Sequence, residues 1–196
     1  MSMLTRLNTP IFAAEGILRV NRESYRLGVG GLTENTGIFS LHELKNQFPA
    51  QSRNFRLTSV SGWSVRADWD GILWQDFIAK VKPSPKARYA IFSSAEDYTT
   101  AVLLSDLAAS TAMLSWGVGG EPLEDEYGGP LRMVIPNLWG YKSCKWLVKI
   151  DFVDKYATGY WELRGYNHRG SIEHGETYDV NTRQYRPIGG GEVTEF

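Results

Sequence analysis

The chain has 196 residues, 42% hydrophobic and 13% aromatic, with a formal net charge of −1. That length favours a single domain with a real core, and a charge so close to zero offers no field to attract nucleic acid. The lone cysteine, Cys144, excludes an internal disulfide and a cysteine-rich zinc site.

No apolar run reaches the length needed to cross a bilayer. Met1 to Gly16 carries only the patch Ile11-Phe12-Ala13-Ala14 and no twin-arginine pair, too little for a secretory signal. The chain is therefore expected in the cytoplasm, or in the periplasm if a leader has been removed. Short strands are predicted over Ile17 to Val20 and Tyr25 to Val29, closing at Gly30-Gly31. Ser40 with Glu43 three residues on has capping-box spacing, so a helix should run to Gln47 before Pro49. Asn54 to Val60 alternates with period two: Phe55, Leu57 and Ser59 on one face, Arg56, Thr58 and Val60 on the other. It delivers Ser59 and Ser61 to the loop before Gly62-Trp63.

Asp70-Gly71 reads as a turn. Trp74, Phe77, Ile78 and Val81 follow at helical spacing. Strands are predicted at Tyr89 to Ser93, Thr99 to Leu103 and Met113 to Val118, a polar loop with Glu96 and Asp97 between the first two, and a short helix over Ser105 to Ala109. From Lys145 the sequence alternates again, Trp146, Val148, Ile150 and Phe152 against Leu147, Lys149 and Asp151. The tail from about residue 180, with Gly189-Gly190-Gly191, is expected to be mobile. Strands and short helices mix without a steady strand-helix rhythm, so the class is α+β with mixed sheets.

The stretch from Tyr127 to Trp146 concentrates chemistry. After the turn Gly128-Gly129-Pro130 it sets Arg132 in a short apolar run, and beyond Pro136 a glycine-bearing loop presents Tyr141, Lys142, Ser143 and Lys145. Cations and hydroxyls at strand ends suit a phosphate or another oxyanion; a solvated loop is the open alternative. Other constellations are poorer. His168 and His174 beside Glu173 lack the ligand number and spacing of a zinc site. No Gly-x-Ser-x-Gly elbow is present, and the glycine run in the tail lacks the Lys-Ser/Thr and helix of a phosphate loop. Cys144 between Ser143 and Lys145 fits a half-buried strand-start thiol better than a reactive one.

Four blocks, taken together and in order, resemble the molybdopterin-binding domain of the sulfite oxidase family, including bacterial relatives with methionine sulfoxide reductase activity. They are Arg56 to Val65 with Trp69, Gly71 and Trp74; Ser93 to Thr99; Gly120-Glu121-Pro122-Leu123 with Gly128 to Pro136 and Gly140 to Trp146; and Gly159 to Glu162 with Arg164-Gly165-Tyr166. The resemblance implies a mixed α+β domain around a molybdenum-molybdopterin cofactor. It implies a pterin phosphate held by Arg132 and by the Lys142, Ser143, Lys145 loop with Tyr141, and aromatic walls for the pterin. The family ligates molybdenum through a cysteine at the position of Ser59, a harder donor of far higher pKa; Ser59 is the expected metal ligand here. Tyr127 stands where the family has an anion-recognising histidine, and Ser61 where the sulfoxide reductases have a glutamate. Substrate would enter near Tyr98, Glu96 and Arg56, giving oxygen-atom transfer to or from a small oxyanion or sulfoxide, with electrons exchanged through an external protein. The alternatives are a binding module on the same scaffold without redox catalysis, and a structural subunit without a ligand.

Overall fold

Period-two burial along the strands builds two five-stranded sheets. The computed structural model describes residues 3–13, 16–109, 111–172, 175–179 and 184–188. The first sheet runs β2 (Gly37–Ser40), β1 (Arg26–Gly31), β10 (Leu147–Val153), β5 (Tyr89–Ser94), β6 (Thr99–Leu103). Within it β1 and β10 are parallel and the other neighbours antiparallel. The second runs β3 (Gln51–Thr58), β4 (Ser64–Leu73), β7 (Met113–Val118), β8 (Glu121–Pro122), and β9 (Arg132–Val134) also pairs with β7. The helices are short: α1 (Met3–Arg6), α2 (Leu41–Gln47), α3 (Trp74–Val81) and α4 (Leu104–Ala109). A hairpin of β11 (Gly175–Asp179) and β12 (Gln184–Ile188) pairs on its own. The architecture is the α+β arrangement of mixed sheets and short helices that the sequence implied.

One core forms where Leu27, Val29, Phe92, Ile150 and Phe152 of the first sheet meet Leu44, Trp74 and Phe77 from the helices. Trp74 organises it, edge-on to Phe92 at 5.7 Å and tilted against Phe77 at 5.6 Å. The predicted stripe of α3 is the buried face, Trp74, Phe77 and Val81. The predicted capping box of α2 is present: the Glu43 amide donates to Ser40 Oγ and the Ser40 amide to Glu43 Oε2. A second core gathers the inward residues of the β3–β4 hairpin, Phe55, Leu57, Val65, Ala67 and Trp69, with Leu4 from α1 and Tyr127. No helix among the described residues is long and apolar enough to cross a membrane.

Two local expectations fail. Residues 17–20 form no strand. Asp70-Gly71 is not a turn but lies inside β4, where the pairing with β7 shifts register. The reason is contact: a Cβ on Gly71 would lie 2.0 Å from the Leu114 carbonyl oxygen, so glycine here permits close strand approach. The tail expectation falls largely outside the described residues, as do Glu173 and His174.

Gly71→Ala should lower stability by about 1–3 kcal/mol or more, because backbone has to move to admit the methyl. Gly28→Ala, whose Cβ would meet ordinary contacts at 3.8 Å, should stay within about 0.5 kcal/mol of wild type. Urea midpoints of the two variants check this.

Candidate functional site

Elements of both sheets line a cavity of about 150 Å³. Its walls are the β3–β4 turn at Ser59, Ser61 and Trp63, the β5–β6 turn at Ser94, Glu96 and Tyr98, then Gly140, Tyr141, Ser143, Lys145 and Trp146, the rings of Trp161 and Tyr166, and, across the mouth, Thr9, Pro10, Phe12 and Ala13. The apolar floor is Leu57, Val65 and Trp69 of the β3–β4 hairpin.

Two cations reach this cavity. Arg132 opens β9 and is buried, with its guanidinium 5.6 Å from the centre of the Trp69 ring. Its Nε donates to the Met133 carbonyl at 3.1 Å, Nη1 to Tyr127 at 2.8 Å and Nη2 to Ser143 at 3.2 Å. Burial pulls its pKa down to about 10. Lys145 donates from Nζ to the carbonyls of Phe12 at 2.8 Å and Glu126 at 2.9 Å, with the Trp146 ring centre 5.4 Å away. Burial, aided by repulsion from Arg132, lowers its pKa to about 7. Among the described residues neither cation has a carboxylate partner; both are held by carbonyl oxygens alone. Buried charge is normally paired; here the buried Arg132 and the half-buried Lys145 face the cavity with no carboxylate beside them among the described residues. Trp146, next in sequence, has φ of 46°, a left-handed conformation that costs a bulky residue about 1–3 kcal/mol and clusters at functional sites.

The remaining expected residues divide. Ser143 faces the cavity, its Oγ accepting from the Ile135 amide at 3.0 Å. Tyr141 lines the wall and donates from its hydroxyl to the Asn167 carbonyl at 2.7 Å; Tyr98 lines it too and donates to the Tyr141 carbonyl. Burial raises both phenol pKa values, so both stay protonated donors. Ser59 lies in the β3–β4 turn, fixed by its amide donating to the Trp63 carbonyl at 2.8 Å, and its Oγ accepts from the Ser61 amide at 3.2 Å. Cys144 is buried, its thiol pushed up by desolvation, which fits the unreactive reading.

Two residues are not where the sequence reading set them. Arg56 does not line the cavity; it projects from the opposite face of β3 to Phe55 and Leu57, and its Nη1 donates to Ser64 Oγ at 2.6 Å. The alternation of that strand already implied this placement. Lys142 is fully buried, but its ammonium points away from the cavity, onto Glu162 and the carbonyls of Ala101 and His168. The wall formed by Thr9 to Ala13 carries no sequence signal, since it exists only through tertiary contact. His168 stacks on Tyr156 at 4.9 Å, and no group of three or more His, Cys, Asp or Glu among the described residues could hold a metal.

Against known proteins, residues 14–161 match the family model described as the oxidoreductase molybdopterin binding domain. The chain belongs to this family. It is 37% identical over 148 residues to the uncharacterized oxidoreductase YuiH of Bacillus subtilis, covering 74% of each chain. A putative protein-methionine-sulfoxide reductase subunit, YedZ1 of Azospira oryzae, is 31% identical over 169 residues, 85% of this chain and 64% of that one. The protein-methionine-sulfoxide reductase catalytic subunit MsrP of Xanthomonas axonopodis is 31% identical over 148 residues, and the match spans only 46% of its length. The sulfane dehydrogenase SoxCD of Paracoccus pantotrophus shares the fold, with a TM-score of 0.70 at 18% identity over 88% of this chain and 46% of that one. The molybdopterin-binding oxidoreductase family therefore accounts for most of this chain. Arg132 and Lys145 lie inside the matched range, whereas the cavity wall at Thr9 to Ala13 and the Tyr166 ring lie outside it.

The lowered pKa of Lys145 fixes a pH dependence. Between about pH 7 and the ordinary lysine value of 10.5 the folded chain binds fewer protons than the unfolded chain, so this group's contribution to stability rises with pH from about 7 upward. Between pH 7.0 and 8.5 the urea midpoint of wild type should rise relative to that of Lys145→Met.

Proposed function

We propose that this chain holds the pterin phosphate of a molybdenum cofactor against Arg132 and Lys145, in an oxidoreductase acting on a small sulfoxide or oxyanion. The observation that carries the reading is the pair of cavity cations whose hydrogen bonds, among the described residues, all go to carbonyl oxygens. A phosphate dianion supplies the missing charge and accepts charge-assisted hydrogen bonds from guanidinium and ammonium. Ser143, whose carbonyl accepts from Arg132, adds a cavity-lining hydroxyl that accepts from the Ile135 amide. Tyr141, Trp161 and Tyr166 offer an aromatic wall of inclined rings, with centroids 5.0 Å apart and planes at 75° in the pair Tyr141–Tyr166 and at 51° in Trp161–Tyr166.

The charge of the donor set fits the group; the cavity has to open to admit it. A cavity of about 150 Å³ is below the ~300–1,000 Å³ of typical small-molecule sites. The wall that can yield is the one across the mouth. Ile11 and Phe12 are half exposed, and that segment is held by Lys145 on the Phe12 carbonyl, Tyr127 on the Thr9 carbonyl at 3.1 Å, and a Phe12–Trp161 ring contact at 5.9 Å. A phosphate on Lys145 competes directly with the Phe12 carbonyl. Pro10 to Ala13 then swings outward while Leu4, buried in the second core, keeps the segment anchored.

When bound, the cofactor supplies two-electron oxygen-atom transfer, and the protein orients it. The chain's own work is to fix the phosphate with Arg132 and Lys145, to exclude water with the aromatic wall, and to present Ser59 Oγ toward the metal. Tyr98, a protonated phenol, donates a hydrogen bond rather than a proton. Electrons pass through a separate protein, a reading supported by the naming of the MsrP relatives as catalytic subunits. A hydroxyl at residue 59 in place of a thiolate also supports a second reading, in which the cofactor is bound without redox turnover.

Protein made in a cofactor-producing host should carry pterin near one per chain, measured as fluorescence of the oxidised, released pterin. Arg132→Met and Lys145→Met should each lower retention by about 10–100-fold, the loss expected for a hydrogen bond to a charged group. Wild-type protein free of pterin, and unable to bind inorganic phosphate, would sink the reading. Molybdenum content of Ser59→Cys against wild type separates the two readings: equal content supports the hydroxyl as a ligand, and metal only in the variant supports binding without turnover.

Cofactor loading should also raise amide exchange at Ile11 to Ala13 by about tenfold or more, while Leu4 stays protected. Exchange mass spectrometry on protein from cofactor-producing and cofactor-deficient hosts measures it.

A further inference from the structure

Lys142 sits between two cavity residues, Tyr141 and Ser143, yet its side chain runs the other way, with no exposure at all. Its ammonium has three protons, and three acceptors surround it: Glu162 Oε1, the Ala101 carbonyl at 3.0 Å and the His168 carbonyl at 2.6 Å. Glu162 Oε1 also accepts from Thr100 Oγ1 at 2.8 Å, and Glu162 is likewise fully enclosed. The surroundings are shaped to this pair. A Cβ on Gly170 would lie 2.9 Å from Lys142 Cγ, and one on Gly159 would lie 2.8 Å from Glu162 Oε2.

What the pair joins is informative. Ala101 belongs to β6, Lys142 to the short 3-10 turn Gly140–Lys142, Glu162 to the turn Glu162–Arg164, and His168 to the loop after it. The same segments carry Tyr141, Trp161 and Tyr166, the aromatic wall of the cavity, and the Tyr141 hydroxyl donates to Asn167 within the tied loop. A buried ion pair is weak evidence for stability, because desolvation of both charges offsets their attraction. Here the second carboxylate oxygen, Glu162 Oε2, is buried with no hydrogen-bond partner among the described residues, which adds to that cost. The pair is better explained by placement than by stability.

We infer that Lys142 is a positioning residue and not a phosphate ligand: its ion pair with Glu162 clamps the turn and loop that carry Trp161 and Tyr166 against β6, and so sets the aromatic wall of the cofactor cavity. The inference rests on the cofactor reading for its consequence, and on the buried geometry alone for the clamp. Removing Lys142 strands the Glu162 carboxylate, whereas replacing both members with apolar side chains of similar volume removes the conflict.

The test compares wild type, Lys142→Met, Glu162→Gln and the double change Lys142→Met, Glu162→Met, all from a cofactor-producing host. Two readouts are used: pterin per chain, and Trp161 fluorescence taken as the difference from the matching Trp161→Phe protein. Lys142→Met should retain at least tenfold less pterin and shift the Trp161 emission, and the double change should recover at least half of both. A double variant that unfolds at the wild-type temperature but remains as pterin-poor as Lys142→Met would overturn the inference, since a direct ligand is not rescued by deleting its partner. Glu162→Gln decides if the methionine variants fail to fold: the clamp requires it to lose pterin, and undiminished retention overturns the clamp. Should wild type carry no pterin, the cofactor reading fails separately, and Trp161 emission still judges the clamp. A shift in Lys142→Met reversed in the double change supports it, and an unshifted Lys142→Met overturns it.

Discussion

One buried and one half-buried positive charge, with no carboxylate beside either among the described residues, set the terms for this molecule. Arg132 and Lys145 are both desolvated enough for their pKa values to fall, and each lowers its exposure to the penalty only by binding backbone carbonyls. Carbonyl dipoles soften a buried charge but do not neutralise it. The loop between β9 and β10 is built to hold this state. Trp146 accepts a left-handed backbone, and its indole donates to the Asp125 carbonyl at 2.8 Å.

The three basic residues of that region behave in two ways, and the difference is one of partners. Among the described residues Arg132 and Lys145 face the cavity with carbonyl hydrogen-bond partners alone, whereas Lys142, one turn away, is closed off by Glu162. A lysine with a buried carboxylate and two carbonyls has no donor to offer a ligand; one with two carbonyls still has a proton to give. Burial alone does not separate these roles. The separation comes from where the chain after Gly159 folds back, since that segment brings Glu162 under Lys142 and Trp161 and Tyr166 over the cavity.

The cavity's outer wall adds a further constraint. Leu4 is held in the second core, while Ile11 and Phe12 lie half exposed across the opening. A segment firmly anchored at one end and lightly held at the other has a low local opening free energy. It can therefore move without disturbing β9, which carries Arg132, or the turns that carry Ser143 and Tyr98.

The α+β class, the capping box at Ser40, the α3 stripe and most strands were legible because local spacing governs them: a two- or 3.6-residue period is the same in the sequence as in the fold. The family was legible too, since its blocks are contiguous stretches. The Gly71 bulge was not, because a glycine that marks a turn and one that admits a neighbouring strand read identically until Leu114 is seen against it. Nor could the run Lys142, Ser143, Cys144, Lys145 disclose which lysine faces a ligand. By itself the sequence determined that cations and hydroxyls would gather near the middle of the chain. Only tertiary structure decided that Glu162, twenty residues on, would take Lys142 out of that group, because the direction of a buried charge is set by whichever partner the fold brings within hydrogen-bond reach.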